Sequence, residues 1–421
     1  MEGAVPRDRS TTPAVNYKTE SLYRMLTASQ RRMATVGVLY LASALNYLDR
    51  NVLSALAITL RNEFQIDSEQ FGYVISAFSL VYAFSSPLMG LFIDRVGLRC
   101  GAGVIVGLWS MAGCSTGFVG NLGGLMICRA ALGFAEAGGI PANGKAGALY
   151  LEPHNRALGL GISQVGITLG SAVAPLLATW IAARSGWRWA FVVTGLLGFL
   201  WIPLWLWVSR KTVPVGEAEA ALRIPILPML RDRRFLGVIV ANMLSMTVYS
   251  LWFGWSTLFL VNVFNLSEAQ ANLRFVWIPP IFATLGGLLG GWLALRFIRS
   301  GMPVLSARLR ISLVAALFVL STAAAPLLPS PGLATAAISL SLFSVTCLSV
   351  NYYTIPLDLF GSGRAALSVA ALTGSFGLMQ AFISPLIGRW SIHYGWSTVC
   401  FTLAALPLLS VGVLKLSLRR K

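Results

Sequence analysis

Four ionisable side chains lie inside segments that are otherwise apolar: Asp49, Arg50, Arg129 and Glu136. Seven residues, or two helical turns, separate Arg129 from Glu136, so a helix would place both on one face. Charge in hydrocarbon costs at least about 2.5–3.5 kcal/mol, so these groups should face a protein interior. An arginine open to a cavity can bind a carboxylate through two parallel hydrogen bonds. The protonation of a neighbouring carboxyl group then depends on whether the arginine holds a substrate. The four residues predict an anion site coupled to protons.

The alternative is that these side chains form two structural ion pairs that orient the helices, and it applies best to Asp49, whose neighbour and spacing suit a structural partner. Buried ion pairs stabilise poorly compared with apolar residues, so the other three favour a functional role. Tyr47 and Tyr82 can supply hydroxyl groups to the same cavity. The second half offers no charge in mid-segment, only polar and aromatic candidates that are more often packing residues: Tyr249, Trp252, Asn351, Tyr352 and Gln380.

The elements that must hold these residues are membrane-spanning helices. Hydrophobic residues form 56% of the 421-residue chain, charged residues only 11%, and mean hydropathy is +0.73. A soluble domain needs more polar surface, so an all-α integral membrane protein of about twelve helices is predicted. The predicted helices span 33–60, 69–93, 100–120, 122–150, 156–183, 189–209, 235–263, 271–296, 302–324, 332–354, 363–392 and 396–417.

The net charge of +17 reflects membrane topology and does not indicate nucleic-acid binding. If the N-terminus is cytoplasmic, 25 of the 32 Lys and Arg residues fall on the inner side of the membrane. This asymmetry predicts that both termini are cytoplasmic and that the helix count is even. The first thirty residues lack an apolar core segment, which favours a cytosolic tail over a cleaved signal peptide.

The chain divides into two halves that echo each other. Arg156, Pro175 and Gly186-Trp187 recur in order and spacing as Arg364, Pro385 and Gly395-Trp396. Duplicated halves with a site between them near the midplane are typical of alternating-access carriers. The predicted organisation is a cytoplasmic tail at 1–32, a six-helix bundle at 33–209, a cytoplasmic linker at 210–234, a second six-helix bundle at 235–417 and a short tail at 418–421.

Other chemistries find little support in the residues. The five cysteines are scattered singly and only two histidines exist, so neither a metal site nor a cofactor is expected. No nucleophile–base pair or phosphate-binding loop emerges, so an enzyme is not expected. The expected partners are a small organic anion, protons and the lipid bilayer, with a monomer as the working assumption.

A charged turn between the second and third predicted helices has the pattern GxxxDRxGxR, carried by Gly90, Asp94, Arg95, Gly97 and Arg99. Glycines permit a tight turn, and Asp94 can meet a helix N-terminus or an arginine across the bundle. Such a contact would latch one conformation. A generic charged turn is the alternative.

This turn resembles the loop signature of the major facilitator superfamily, and Arg129–Gly133 is similar to its fourth-helix motif. Other segments resemble the anion:cation symporter branch, which includes bacterial hexuronate and galactonate permeases and vesicular glutamate and sialic acid transporters. These segments are Asn46–Asn51, the pair Arg129 and Glu136, Gly186–Arg188 and Pro356–Phe360. The resemblance spans about residues 30–415.

The resemblance implies a rocker-switch fold of two bundles with pseudo-two-fold symmetry in a bacterial cytoplasmic (inner) membrane, and proton-coupled transport of an organic anion. It implies carboxylate contacts at Tyr47, Arg50, Tyr82 and Arg129, and proton coupling at Asp49 and Glu136. Tyr352 is our candidate from the second half. One departure is Ala294, which stands where many relatives carry aspartate and weakens the expected second latch.

Two other functions stay open at this point. The first is an exporter of the same fold, such as a drug or cation antiporter, against which the two intramembrane arginines argue. The second is an intramembrane enzyme or a sensor that transports nothing. For the anion, the resemblance implies a sugar acid first, and small di- or aromatic carboxylates next.

Overall fold

The computed structural model describes residues 27–152, 156–212, 229, 231–360 and 365–418. Residues 1–26 and 419–421 of the predicted tails and most of the predicted linker lie outside these residues, as does Arg364. The first half comprises α1 (Ala28–Ala55), α2 (Ala57–Phe64), α3 (Ser68–Val96), α4 (Leu98–Thr116), α5 (Leu122–Glu136), α6 (Gly139–Tyr150), α7 (Arg156–Ser185) and α8 (Trp187–Val208).

The second half begins at α9 (Arg233–Phe264), where the Asp232 carboxylate accepts a hydrogen bond from the backbone N–H of Arg234 at 2.8 Å. Hydrogen bonds from the Arg234 side chain also hold the pKa of Asp232 below its usual range. The remaining helices are α10 (Glu268–Ala271), α11 (Pro279–Arg299), α12 (Val304–Val319), α13 (Ser321–Ala324), α14 (Pro331–Phe360), α15 (Ala365–His393) and α16 (Gly395–Leu418). A π-helical turn at Asn272–Val276 follows α10.

The predicted all-α membrane fold is confirmed. Eleven segments of the described chain are long and apolar enough to cross a membrane. Helix α1 is not among them, since its apolar stretch is interrupted by Asp49 and Arg50. Exposed leucine, phenylalanine and tryptophan side chains cover the outside of the helices, as a lipid-facing surface requires.

Four predicted helices are interrupted in the structure. The first breaks at Leu56, whose backbone leaves the helical region at φ −102° and ψ 25°. The fourth ends at Glu136 and resumes at Gly139, because two glycines followed by Pro141 weaken the continuous hydrogen-bond ladder. The eighth is divided at Pro279-Pro280, which begin α11. The ninth breaks at Leu320, between α12 and α13. The first two breaks lie close to the predicted ionisable residues.

The two halves meet closely at the predicted external end. Helix α3 packs along α15, where an added Cβ at Gly72 would lie 2.6 Å from the Pro385 Cα atom. The rings of Phe71 and Trp255 meet edge to face at 5.7 Å between centroids. Small residues let the helices approach with backbone in contact. This seam closes the predicted external end of the protein.

We expect Gly72→Val to separate the halves at the predicted external end, because its side chain would overlap the backbone of Ser384 and Pro385. Spin labels at the exposed positions Asn62 and Ala269 would report the separation as a longer distance. Gly37→Ala is the matched control, since an added Cβ there meets nothing within 4 Å. An unchanged distance in Gly72→Val would contradict the role of this seam.

Candidate functional site

The centre of the site is an ion pair between α1 and α5. The Nη2 and Nε atoms of Arg50 donate to the Glu136 Oε2 atom at 2.8 and 3.0 Å. Arg50 Nη2 also lies 3.4 Å from the Oδ1 atom of Asn46, one turn earlier. The Arg50 side chain is 20% exposed and that of Glu136 is fully buried. The arginine is therefore the member of the pair that a solute can reach.

Aromatic rings surround the Arg50 guanidinium. Its Cζ atom lies 4.8 Å from the ring centroid of Tyr47, 4.7 Å from that of Phe78 and 5.1 Å from that of Tyr82. Ring faces stabilise a cation and exclude water, which strengthens its interaction with an anion. The predicted neighbours Tyr47 and Tyr82 are thus brought to Arg50. Phe78 is an additional neighbour that the sequence patterns did not single out.

Arg129 lies near the same ring of Phe78, with its Cζ atom 5.1 Å from the centroid. It is 3% exposed, and its Nε atom has no hydrogen-bond partner. Among the described residues Arg129 forms no ion pair within 4 Å. The structural alternative allowed an ion pair between Arg129 and Glu136, but Glu136 pairs with Arg50 instead. Helical spacing places Arg129 and Glu136 on one face of α5, but the packing of α1 against α5 determines that Glu136 pairs with Arg50.

Asp49 is the second buried carboxyl group, 3% exposed in the interior of the first half. Neither of its carboxyl oxygens accepts a hydrogen bond of normal geometry. The side chains that act on it electrostatically are Glu136, Thr194 and Arg129. A structural ion pair with a neighbouring cation, the alternative raised for Asp49, is absent from the described residues. The three side chains that act on Asp49 all belong to the first half.

A central cavity of about 390 Å³ lies beside these residues, between the two halves. Tyr47 and Gln164 line it from the first half, and Tyr249, Tyr353 and Thr373 line it from the second. It reaches from mid-membrane toward the predicted cytoplasmic end. A smaller recess of about 50 Å³ shares Tyr47, Tyr249 and Phe376 with it and is lined by Arg50 and Arg129. The guanidinium groups thus adjoin a space large enough for a small solute.

Of the five candidates predicted in the second half, only Tyr249 and Gln380 line the recess or the cavity. Tyr249 and Gln380 line the recess, and Gln380 accepts a hydrogen bond from Ser79 at 2.9 Å. The structure does not bring Tyr352 to the cavity: it is fully buried, and its hydroxyl group lies 2.8 Å from that of Ser410. Its neighbour Tyr353 lines the cavity instead. Adjacent residues point about 100° apart around a helix. Because α14 is apolar on all sides, the sequence alone does not predict which of the two tyrosines faces the cavity.

The remaining candidates of the second half are packing residues. Trp252 is 2% exposed within the apolar core, and its indole N–H lies 3.3 Å from the Thr322 hydroxyl. Asn351 donates to the Cys347 carbonyl at 2.9 Å. Arg308, which sequence patterns missed, reaches Asn351 at 3.4 Å and pairs with Asp358 at 2.5 Å. Those contacts join α12 to α14 within the second half.

The predicted latch residues lie at the turn between α3 and α4. Gly97 has φ +85°, a backbone conformation that favours glycine, and an added Cβ at Gly90 would approach Pro141 at 3.8 Å. Asp94 pairs with Lys145 at 2.8 Å, and Arg99 donates to the Leu206 carbonyl at 3.2 Å.

Arg95 is exposed at the end of α3. Asp94 therefore pairs with a lysine of its own half, where a helix N-terminus or an arginine was expected, and the conformational latch stays a prediction.

Comparison with known proteins identifies the family of the chain. Residues 39–383 match the Major Facilitator Superfamily, and the chain belongs to this superfamily. The chain is 28% identical to the hexuronate transporter of Escherichia coli (strain K12), over 93% of this chain and 94% of that protein. It is 30% identical to the galacturonate transporter of Dickeya chrysanthemi, over 63% of this chain and 82% of that protein.

A third relative is the D-galactonate transporter of Escherichia coli O6:H1, at 24% identity over 90% of this chain and 94% of that protein. Among solved structures, the chain resembles a bacterial homolog of the human lysosomal transporter Spinster in an inward-facing and occupied conformation. The TM-score is 0.70 at 19% identity, covering 92% of this chain and 95% of that one. At this identity the likeness concerns the fold alone. The relatives are transporters of sugar acids.

Proposed function

We propose that this protein is a proton-coupled symporter of an organic anion, with a sugar acid such as a hexuronate or an aldonate as substrate. The observation that carries the proposal is the Arg50–Glu136 pair, which places a reachable guanidinium group over a fully buried carboxylate. The named activities of the hexuronate, galacturonate and galactonate transporters support the substrate class.

Binding and protonation are linked through Arg50. A substrate carboxylate that binds the guanidinium fork displaces Glu136, which then lies buried without its ion-pair partner. An uncompensated buried carboxylate costs several kcal/mol, so the displaced Glu136 takes up a proton. Substrate and proton thereby favour the same occupied state, as symport requires.

The remaining residues have supporting roles in this proposal. Arg129 adds positive charge next to Phe78, and Tyr47 and Tyr82 hold the Arg50 guanidinium between ring faces. Asp49 is a second proton acceptor. Hydroxyl and amide groups of Gln164, Tyr249 and Tyr353 face the cavity and suit the hydroxyl groups of a sugar acid.

Transport follows from alternating access. The bundles rock about the midplane, open the cavity to one side and then to the other, and carry anion and proton inward together. We place the protein in the cytoplasmic membrane with both termini in the cytoplasm, on the distribution of its Lys and Arg residues. In this orientation the cavity extends toward the cytoplasmic side, where most of the Lys and Arg residues lie.

Uptake into proteoliposomes under an inward proton gradient tests the substrate class. The panel contains galacturonate, glucuronate, galactonate, an aliphatic and an aromatic carboxylate, neutral galactose and an organic cation. We expect accumulation of one or more sugar acids and none of galactose, because only the acids carry the group that Arg50 binds. Accumulation or exchange of the cation in place of the acids would favour the antiporter alternative and contradict the proposal.

A further inference from the structure

The predicted external end contains a contact between halves that the proposed anion site does not use. It joins the break between α1 and α2 to the short helix α10 and the π-helical turn after it. Glu268 and Asn272 come from the second half and lie one turn apart. The capping box of Ser267 and Gln270 begins α10 and fixes Glu268 in its first turn.

Glu268 binds the beginning of α2. Its Oε1 atom accepts hydrogen bonds from the backbone N–H groups of Ile58 at 2.8 Å and Thr59 at 3.3 Å. Its Oε2 atom accepts from the Thr59 hydroxyl group. The carboxylate thus engages three donors of the opposite half. Hydrogen bonds to an ionised acceptor are roughly twice as strong as neutral ones.

Asn272 binds the end of α1. Its Nδ2 group donates to the Ala55 carbonyl at 2.7 Å and to the Thr179 hydroxyl at 2.9 Å, both in the first half. Its Oδ1 atom accepts from Thr257 of its own half at 2.8 Å. The Asn272 side chain is fully buried, and both its amide oxygen and its amide nitrogen form hydrogen bonds with protein groups. Its position is therefore set by both halves at once.

Among the helical hydrogen bonds that the break removes is the one from Thr59 to Ala55, and the two contacts occupy both its donor and its acceptor. In a continuous α-helix the Thr59 N–H would donate to the Ala55 carbonyl. Here helix α1 ends at Ala55 and α2 begins at Ala57, the Thr59 N–H donates to Glu268, and the Ala55 carbonyl accepts from Asn272. Donor and acceptor of the missing bond are each held by the second half. A buried backbone group left without a partner would be costly.

We infer that Glu268 and Asn272 position the first helix for the transport cycle by opening its Ala55–Thr59 bond whenever the external end is closed. When the halves separate externally, both side chains leave, and the Thr59 N–H pairs again with the Ala55 carbonyl. The Ile58 N–H, which Glu268 also releases, pairs with the Ser54 carbonyl four residues earlier. The first helix then straightens over Leu56. Because Arg50 lies only one to two turns before the break, this change also re-aims Arg50 toward the external side. The inference rests on the proposed alternating-access function.

This exchange of hydrogen bonds explains how the backbone N–H and carbonyl groups at the break keep their partners in both the closed and the open arrangement. The closed arrangement has bonds between halves, and the open one has an intrahelical bond and a hydrated carboxylate. Such an element is bistable, and its equilibrium depends on the strength of Glu268 and Asn272 as partners. Substitutions there should shift populations without touching the anion site.

Distances between spin labels at Asn62 and Ala269, measured on the full chain in lipid nanodiscs, test the inference. We expect Glu268→Ala to raise the ratio of externally open to closed molecules about tenfold or more, since charged hydrogen bonds across the contact are lost. Asn272→Leu should shift the ratio in the same direction. Glu268→Gln keeps one acceptor for the two N–H groups and should restore part of the closed population.

Glu63→Gln is the matched control, because Glu63 pairs with Arg188 at the same end but within one half. It should leave the distances unchanged. Equal distance distributions in wild type, Glu268→Ala and Asn272→Leu would overturn the inference, as would an identical shift in Glu63→Gln. The measurement needs no substrate, so a failed uptake panel with shifted distances would count against the proposed substrate alone. Uptake of sugar acids with unshifted distances would count against this inference alone.

Discussion

Replacing Arg50 by Ala is expected to reduce uptake of the sugar acid by at least about thirtyfold. The substitution removes the guanidinium fork that binds the substrate carboxylate and leaves Glu136 buried without its ion-pair partner. Truncation of one member of a buried charge pair costs about 2–5 kcal/mol, which corresponds to a factor of roughly 30 or more in affinity. Initial uptake rates across a range of substrate concentrations measure the effect.

Arg50→Lys separates charge from geometry. The ammonium group keeps the positive charge but cannot offer two parallel donors, so we expect a large loss that is smaller than that of Arg50→Ala. Arg184→Ala is the control, since Arg184 stacks on Trp180 at the predicted external end, far from the site. Uptake by Arg50→Ala equal to that of the control would remove Arg50 from the anion site.

The second large effect is expected for Glu136→Gln, which should abolish accumulation driven by a proton gradient while exchange of labelled for unlabelled substrate continues. Glutamine imitates the protonated carboxyl group and carries no proton through the cycle. Arg50 would be free to bind the anion, since its only ion-pair partner among the described residues is removed. Accumulation and exchange, measured in the same liposome preparation, separate coupling from binding.

Glu63→Gln again serves as control, because its exposed ion pair with Arg188 has no part in the site. Accumulation by Glu136→Gln at the wild-type level would assign coupling to another group, and Asp49 would be the first to test. Loss of exchange together with accumulation would indicate that Glu136 is needed for binding itself.

The sequence predicts the fold well because membrane insertion leaves few alternatives. Long apolar segments, the asymmetry of Lys and Arg and the repeated Pro and Gly-Trp positions indicate two six-helix halves, and the superfamily match confirms the fold class. Charge in an apolar segment also predicts which side chains face inward. Arg50, Tyr47, Tyr82 and Arg129 are all brought near one recess or ring cluster.

What the sequence does not predict is the choice of partner between helices. Helical spacing pointed from Arg129 to Glu136, whereas packing of α1 against α5 pairs Glu136 with Arg50. Tyr352 and Tyr353 are adjacent, and only the rotation of α14 decides which of them lines the cavity. Glu268 sits beside a loop in the sequence, and its contact with Ile58 requires both halves in place.

The most direct test of proton-coupled anion transport uses a pH-sensitive dye enclosed in proteoliposomes without an imposed gradient. Galacturonate, or whichever acid the uptake panel selects, is added outside at matched pH, with Glu136→Gln and empty liposomes in parallel. We predict that the lumen acidifies as the anion enters, and that Glu136→Gln abolishes acidification. Entry of the anion with no acidification, or with alkalinisation, would contradict proton symport and require a uniport or antiport mechanism.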